Sequence, residues 1–100
     1  MPFSGSAFSF DIFTLRTVNE VGAVYGLFTP TPGRPNFFTC LYVGQTGNLR
    51  DRLYEHFNAP PISGVTHFFA EVVGTDQQRR LREKQLIAEF NPPGNRTRGG

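Results

Sequence analysis

The sequence predicts a small α+β domain of three strands with helices packed on the sheet. Three observations carry this expectation. Apolar stretches rich in aromatic and β-branched residues occupy 21–28, 37–43 and 65–73, as strands require. Two stretches, 49–57 and 76–90, bring apolar residues back at helical spacing. Clusters of Gly, Pro and Asn separate all five, giving the order strand, strand, helix, strand, helix. One hundred residues make one domain with one core.

Residues Met1 to Asn19 open with Ser, Gly and Phe and alternate weakly from Phe8 to Phe13. They are expected to form a short strand or an irregular segment over one edge of the core, so 1–20 is read as an N-terminal segment. Val21 to Phe28 is the first clear strand, interrupted by Gly22 and Gly26 but apolar on both faces. Thr29 to Asn36 holds three prolines in eight residues and is expected to be an irregular, exposed connector. The strand Phe37 to Val43 then pairs antiparallel with the first. Gly44-Gln45-Thr46-Gly47-Asn48 is expected to turn the chain. Leu49, Leu53 and Phe57 start an amphipathic helix that Asn58-Ala59-Pro60-Pro61 stops.

Val65 to Val73 reads as the third strand, bounded by Gly64 and Gly74. Thr75 and Gln78 stand at capping-box spacing, so the second helix runs from Asp76 to about Phe90 and ends at Asn91-Pro92-Pro93-Gly94. The remainder is polar and basic, and 96–100 is expected to be a mobile tail.

Composition narrows the function class only slightly. No apolar run is long enough to span a membrane and no charged-then-apolar leader follows Met1, so a soluble, cytoplasmic protein without a membrane partner is expected. The net charge is +2, yet nine of the ten basic residues are Arg, Lys84 being the exception. Arginine pairs bidentately with phosphate and carboxylate, which favours an anionic partner. The single cysteine, Cys40, lies inside a strand and reads as a buried structural thiol.

Some residues do not fit a bland core. Projected at about 100° per residue, Glu83 falls on the apolar face that Leu86, Ile87 and Phe90 define. A carboxylate there needs a partner, either an Arg of the fold or a metal in a cleft. In the first helix, Arg52 and His56 lie beside Leu49, Leu53 and Phe57, neither fully solvated nor fully buried. Tyr25 and Tyr42 sit in the two paired strands, and a buried phenol also needs a partner.

Together these residues resemble the GIY-YIG nuclease domain. Tyr42-Val43-Gly44 looks like the second half of its name motif, and Ala23-Val24-Tyr25 like the first, with Ala23 in place of glycine. An Arg follows the second Tyr by ten residues, here Arg52, and His56 follows by four more. The later pattern of Glu, Leu-Ile, Phe, Pro and Asn is met by Glu83, Leu86-Ile87, Phe90, Pro92 and Asn95. The resemblance covers 21–95.

The resemblance implies a three-stranded antiparallel sheet flanked by helices, and hydrolysis of DNA phosphodiester bonds with Mg²⁺ (or Mn²⁺). It implies Glu83 as the metal ligand, Arg52 on the scissile phosphate, and Tyr25, assisted by Tyr42, on the attacking water. His56 would relay a proton or support the base. Gly44 would turn the backbone tightly beside the phosphate and Asn95 would order the cleft wall, with Gln45 and Arg50 completing the substrate-binding set. DNA repair or recombination is the expected setting. Specificity is expected from Arg34, Arg50, Arg79, Arg80, Arg82 and the tail, from a homo-oligomer or from a partner protein. A non-catalytic nucleic-acid-binding module and a scaffold domain are the competing readings. An idle site would be expected to carry apolar replacements at these polar positions.

Overall fold

The computed structural model describes residues 7–96. In chain order the elements are β1 (Phe8–Ser9), α1 (Ile12–Leu15), β2 (Ala23–Thr31), β3 (Arg34–Thr46), α2 (Leu49–Asn58), β4 (His67–Val72), α3 (Asp76–Phe90) and α4 (Pro93–Arg96). The strands form one antiparallel sheet in the order β1-β4-β2-β3. The three expected strands are all present, and the N-terminal segment adds a two-residue fourth at the edge. Residues 97–100, most of the expected tail, lie outside the described residues. No helix among the described residues is long and apolar enough to cross a membrane.

Helices cover both faces of the sheet. Ala23, Tyr25 and Leu27 of β2 join Leu15, Tyr42, Leu49, Leu53 and Phe68 in one buried cluster, closed by α1 and α2. Val24 and Phe28 join Cys40, Val43 and Leu86 in another, closed by α3. Strand β2 is the inner strand between β3 and β4, which is why its sequence is apolar at successive positions and does not alternate.

One irregularity arranges the two clusters. Leu27 faces Tyr42 and Phe28 faces Cys40, so Leu41 is an extra residue in β3. Two residues apart, Cys40 and Tyr42 would ordinarily share a face; the bulge sends them to opposite ones. Burial pushes the free Cys40 thiol up to about 12, as expected of an inert structural residue.

Two expectations about connections are corrected. The proline-rich stretch is not an irregular connector: β2 continues to Thr31 and β3 starts at Arg34, leaving Pro32-Gly33 as the turn. β4 pairs with β2 only as far as Phe28, so Pro30 stands where β2 keeps a partner on one side and its missing N–H is tolerated. Gly33 takes the left-handed conformation, φ 76°, that such a turn needs. Likewise Gly44 to Thr46 do not turn but extend β3, and the change of direction is confined to Gly47 and Asn48.

The helices follow their caps. The Asn48 side chain accepts from the Asp51 N–H at 3.2 Å to open α2, and Thr75 accepts from the Gln78 N–H at 3.2 Å to open α3. Asn91, left-handed at φ 46°, closes α3. Phe57, placed on the buried face of the first helix by its spacing, is 38% exposed: it sits at the last turn, with its ring against Phe10 of the N-terminal segment.

Leu86 is fully buried under α3 while Leu81 on the same helix is exposed. Leu86→Ala is expected to lower unfolding free energy in urea by about 2–5 kcal/mol, and Leu81→Ala by less than about 0.5 kcal/mol.

Candidate active site

A buried phenol organises the polar residues of the first cluster. Tyr25 has no exposed surface, and its side chain lies opposite Gly44 in the β2–β3 ladder. A Cβ at Gly44 would stand 2.5 Å from the phenol oxygen and 2.7 Å from Cζ. The glycine is therefore needed to let the Tyr25 ring cross β3, and not, as its place before Gly47 had suggested, to turn the backbone.

Having crossed, the phenol meets α2. Its oxygen is 2.7 Å from His56 Nε2, and the Arg52 guanidinium lies near enough to pull its pKa down against burial. The phenol oxygen can both accept and donate, so the donor in its bond to His56 is set by the imidazole tautomer. The three rings of Tyr25, Tyr42 and His56 form a triangle with centroid separations of 6.3, 5.5 and 5.4 Å. His56 is 5% exposed, which corrects the half-buried position expected from the helical projection: it has turned onto the tyrosines.

Electrostatics at this phenol are set first by burial, which raises the Tyr25 pKa above its ordinary 10.0, and then by Tyr42 in the same direction. The Arg52 guanidinium opposes the shift, and the Glu83 carboxylate adds a smaller upward contribution. Glu83 thus acts on Tyr25 from α3, which covers the opposite face of the sheet from α2. β3 is the edge strand of the sheet on that side.

Arg52 reaches water. Its side chain is 39% exposed and its Nη1 lies 2.9 Å from Glu55 Oε1. With Tyr42, Glu55, His56, Ala59 and Pro61 it lines a cleft of about 450 Å³. A second hollow of about 300 Å³, under α1, is lined by Phe8, Leu49, Phe68 and other residues without titratable side chains. The sequence reading missed Glu55, although its place one turn after Arg52 is that of a helical ion pair.

The remaining candidates are placed apart from this cluster. Arg50 is two residues from Arg52, roughly 200° around the helix, and donates from Nε to the Val18 carbonyl at 2.8 Å with Glu20 3.7 Å from its Nη1. Gln45 accepts from Arg79 Nε at 3.2 Å. The Asn95 side chain accepts from the Val43 N–H and donates to the Val43 carbonyl, both at 2.8 Å, so α4 seals β3 between Tyr42 and Gly44. Among the other arginines, Arg80 pairs with Asp76 at 2.8 Å, and Arg82 pairs through Nε and Nη2 with both oxygens of Glu71 at 3.0 Å.

No family model matches the sequence, and no curated protein matches it. Solved structures share its fold. The GIY-YIG N-terminal endonuclease domain of UvrC from Thermotoga maritima, bound to magnesium as its catalytic divalent cation, superposes at TM-score 0.62 and 18% identity, over 80% of this chain and 89% of that one. An asparagine-to-alanine variant of that domain superposes at TM-score 0.63 and 20% identity, over 80% and 88%. A tyrosine-to-phenylalanine variant gives 0.64 and 17%, over 80% and 89%. Both variants are likewise bound to the catalytic cation. The chain has the fold of these endonuclease domains.

Because the folded state keeps the Tyr25 proton to higher pH than the unfolded chain does, it binds more protons above about pH 10. Stability is therefore expected to fall as pH rises through that range. Cys40 adds a slope of the same sign. Urea denaturation from pH 8 to 11 should show a shallower decline for Tyr25→Phe than for the wild type; equal slopes would contradict the assignment.

Proposed function

We propose that the protein is a metal-dependent endonuclease that hydrolyses phosphodiester bonds in DNA. The observation that carries the reading is the buried Tyr25–His56 hydrogen bond of 2.7 Å, with Arg52 beside the same phenol and lining an open cleft. A core built only for stability gains little from placing a phenol, an imidazole and a guanidinium together.

Arg52 binds the scissile phosphate in the cleft and offsets the charge that grows on it in the transition state. Because the same guanidinium lies beside the Tyr25 phenol, phosphate and phenol are brought near one another. Tyr25 is not a standing base, since burial holds its proton on. It works behind the cleft wall: His56, which lines the cleft, takes the proton released by the attacking water, and the Tyr25 hydroxyl bonded to its Nε2 holds the imidazole in place and shares that proton. Tyr42 walls the cleft beside His56 and directs the water. Gly44 keeps the crossing open, and Asn95 holds Val43, and with it Tyr42 and Gly44, in register.

Among the described residues no three His, Cys, Asp or Glu side chains converge as a metal cluster. A half-buried carboxylate from Glu83 fits Mg²⁺ or Mn²⁺ nonetheless, because Mg²⁺ is held by one or two carboxylates with the rest of its shell from water and phosphate oxygen. Held by Glu83, such a cation would supply Lewis-acid charge to the phosphate oxygens. Duplex choice, on this reading, comes from surface contacts outside the cleft, from a second copy or from a partner protein.

Purified protein is expected to cleave plasmid, branched or single-stranded DNA with Mg²⁺ or Mn²⁺ and to stop on chelation. Glu83→Gln and Arg52→Ala are each expected to lower kcat by about 100-fold or more. Cleavage that survives both substitutions would overturn the reading. Salt-dependent binding with no cleavage under any metal would replace it with the binding-module reading.

A further inference from the structure

The β2–β3 hairpin runs past the rest of the sheet. β4 pairs with β2 only from Ala23 to Phe28, so Thr29 to Thr39 form a two-stranded arm around the Pro32-Gly33 turn. Within the arm Pro30 faces Phe38 while the next residue, Thr31, faces Arg34. Pro35, Asn36 and Phe37 are therefore extra residues in β3. A bulge of this kind re-aims the side chains it carries.

What it presents is a cation on a ring. Phe37 is 58% exposed, and the Arg34 guanidinium carbon lies 5.0 Å from its ring centroid. Phe38, beside it, is packed on His67 and Phe69 and anchors the base of the arm. Arg34 is the sole charged residue between Thr29 and Thr39, so the arm is positive throughout and no carboxylate of its own competes for Arg34. A two-stranded ribbon is narrow enough to enter a DNA groove, and an exposed apolar ring beside a cation suits a partner with a charged backbone and flat bases.

The arm is also continuous with the cleft. Tyr42 faces Leu27 and Arg34 faces Thr31, so four steps of β2 separate them, roughly 14 Å at strand rise. That distance is about four base pairs of duplex. We propose that the arm is a second DNA contact, with Arg34 on a backbone phosphate and Phe37 in a groove, gripping the same duplex that the cleft cuts. The proposal rests on the reading of DNA as the substrate.

A control is built into the molecule. Arg16 lies 5.9 Å from the centroid of Phe13, and Phe13 is 75% exposed. The residue types and exposure are alike, but this pair sits on α1, whose N-cap is Asp11. Fluorescence anisotropy on a duplex of about 20 base pairs, without divalent metal, separates the two. The Arg34→Ala/Phe37→Ala double variant is expected to bind about tenfold more weakly than wild type. Arg34→Ala alone should reduce the slope of log affinity against log salt by about one. Phe13→Ala/Arg16→Ala should change affinity by less than about twofold. Wild-type affinity in the arm variant, or equal weakening by both double variants, would overturn the proposal. If circular dichroism shows the arm double variant unfolded, Arg34→Glu decides instead: weaker binding supports the contact and unchanged binding removes it. Binding is read without cleavage, so a failure here is distinct from a failure of the nuclease assay.

Discussion

The position of one phenol constrains the rest of the site. Tyr25 stands on the inner strand, and its ring reaches His56 and Arg52 only because β3 offers a residue without a side chain at Gly44. Once there, the hydroxyl must be satisfied, because an unpaired buried phenol costs about 1–3 kcal/mol. The partner that satisfies it, His56, comes from α2, with Arg52 one helical turn before it. The placing of His56 and of Arg52 against the sheet follows from this contact. Leu49 and Leu53 fix the same register from the apolar side.

The edge strand β3 does two further jobs at the same place. The extra residue Leu41 lets Tyr42 join the α2 side of the sheet while Cys40 joins the α3 side. Strand ends and bulges are where side chains are re-aimed, and without this bulge Tyr42 would lie on the α3 face. The outer edge of the strand, an aggregation hazard if left open, is closed at Val43 by the Asn95 side chain. A carboxylate on α3, across the sheet, adds a small upward contribution to the pKa of the phenol.

Much of the fold was legible because its signals are local. The α3 limits at Asp76 and Phe90 were readable from the Thr75 cap and the Asn91-Pro92 stop, both short-range devices. The proline-rich stretch was misread because the rule against proline in strands applies to residues paired on both sides, and the sequence does not reveal that β4 stops short of Pro30. The Leu41 bulge is a single added residue with no compositional mark. For the site, helical spacing placed Arg52 and His56 together but could not show which group would cover His56, since Tyr25 is 31 residues away. Gly44 was read as a turn former because turns and close ring contacts both call for glycine, and only the register distinguishes them. Gln45, Arg50 and Asn95 were grouped by proximity in sequence or motif, whereas their bonds tie them to Arg79, the N-terminal segment and Val43.

On the proposed mechanism the Tyr25 hydroxyl is both a structural group and part of the proton relay through His56. These two roles separate in Tyr25→Phe, which keeps the ring and its packing and removes only the oxygen. Single-turnover cleavage by this variant, beside its urea denaturation midpoint, is the most direct test. The account predicts a folded protein, within about 1–2 kcal/mol of wild type, whose cleavage rate falls by about 100-fold or more. Cleavage at the wild-type rate by the folded variant would show that the hydroxyl serves the fold alone.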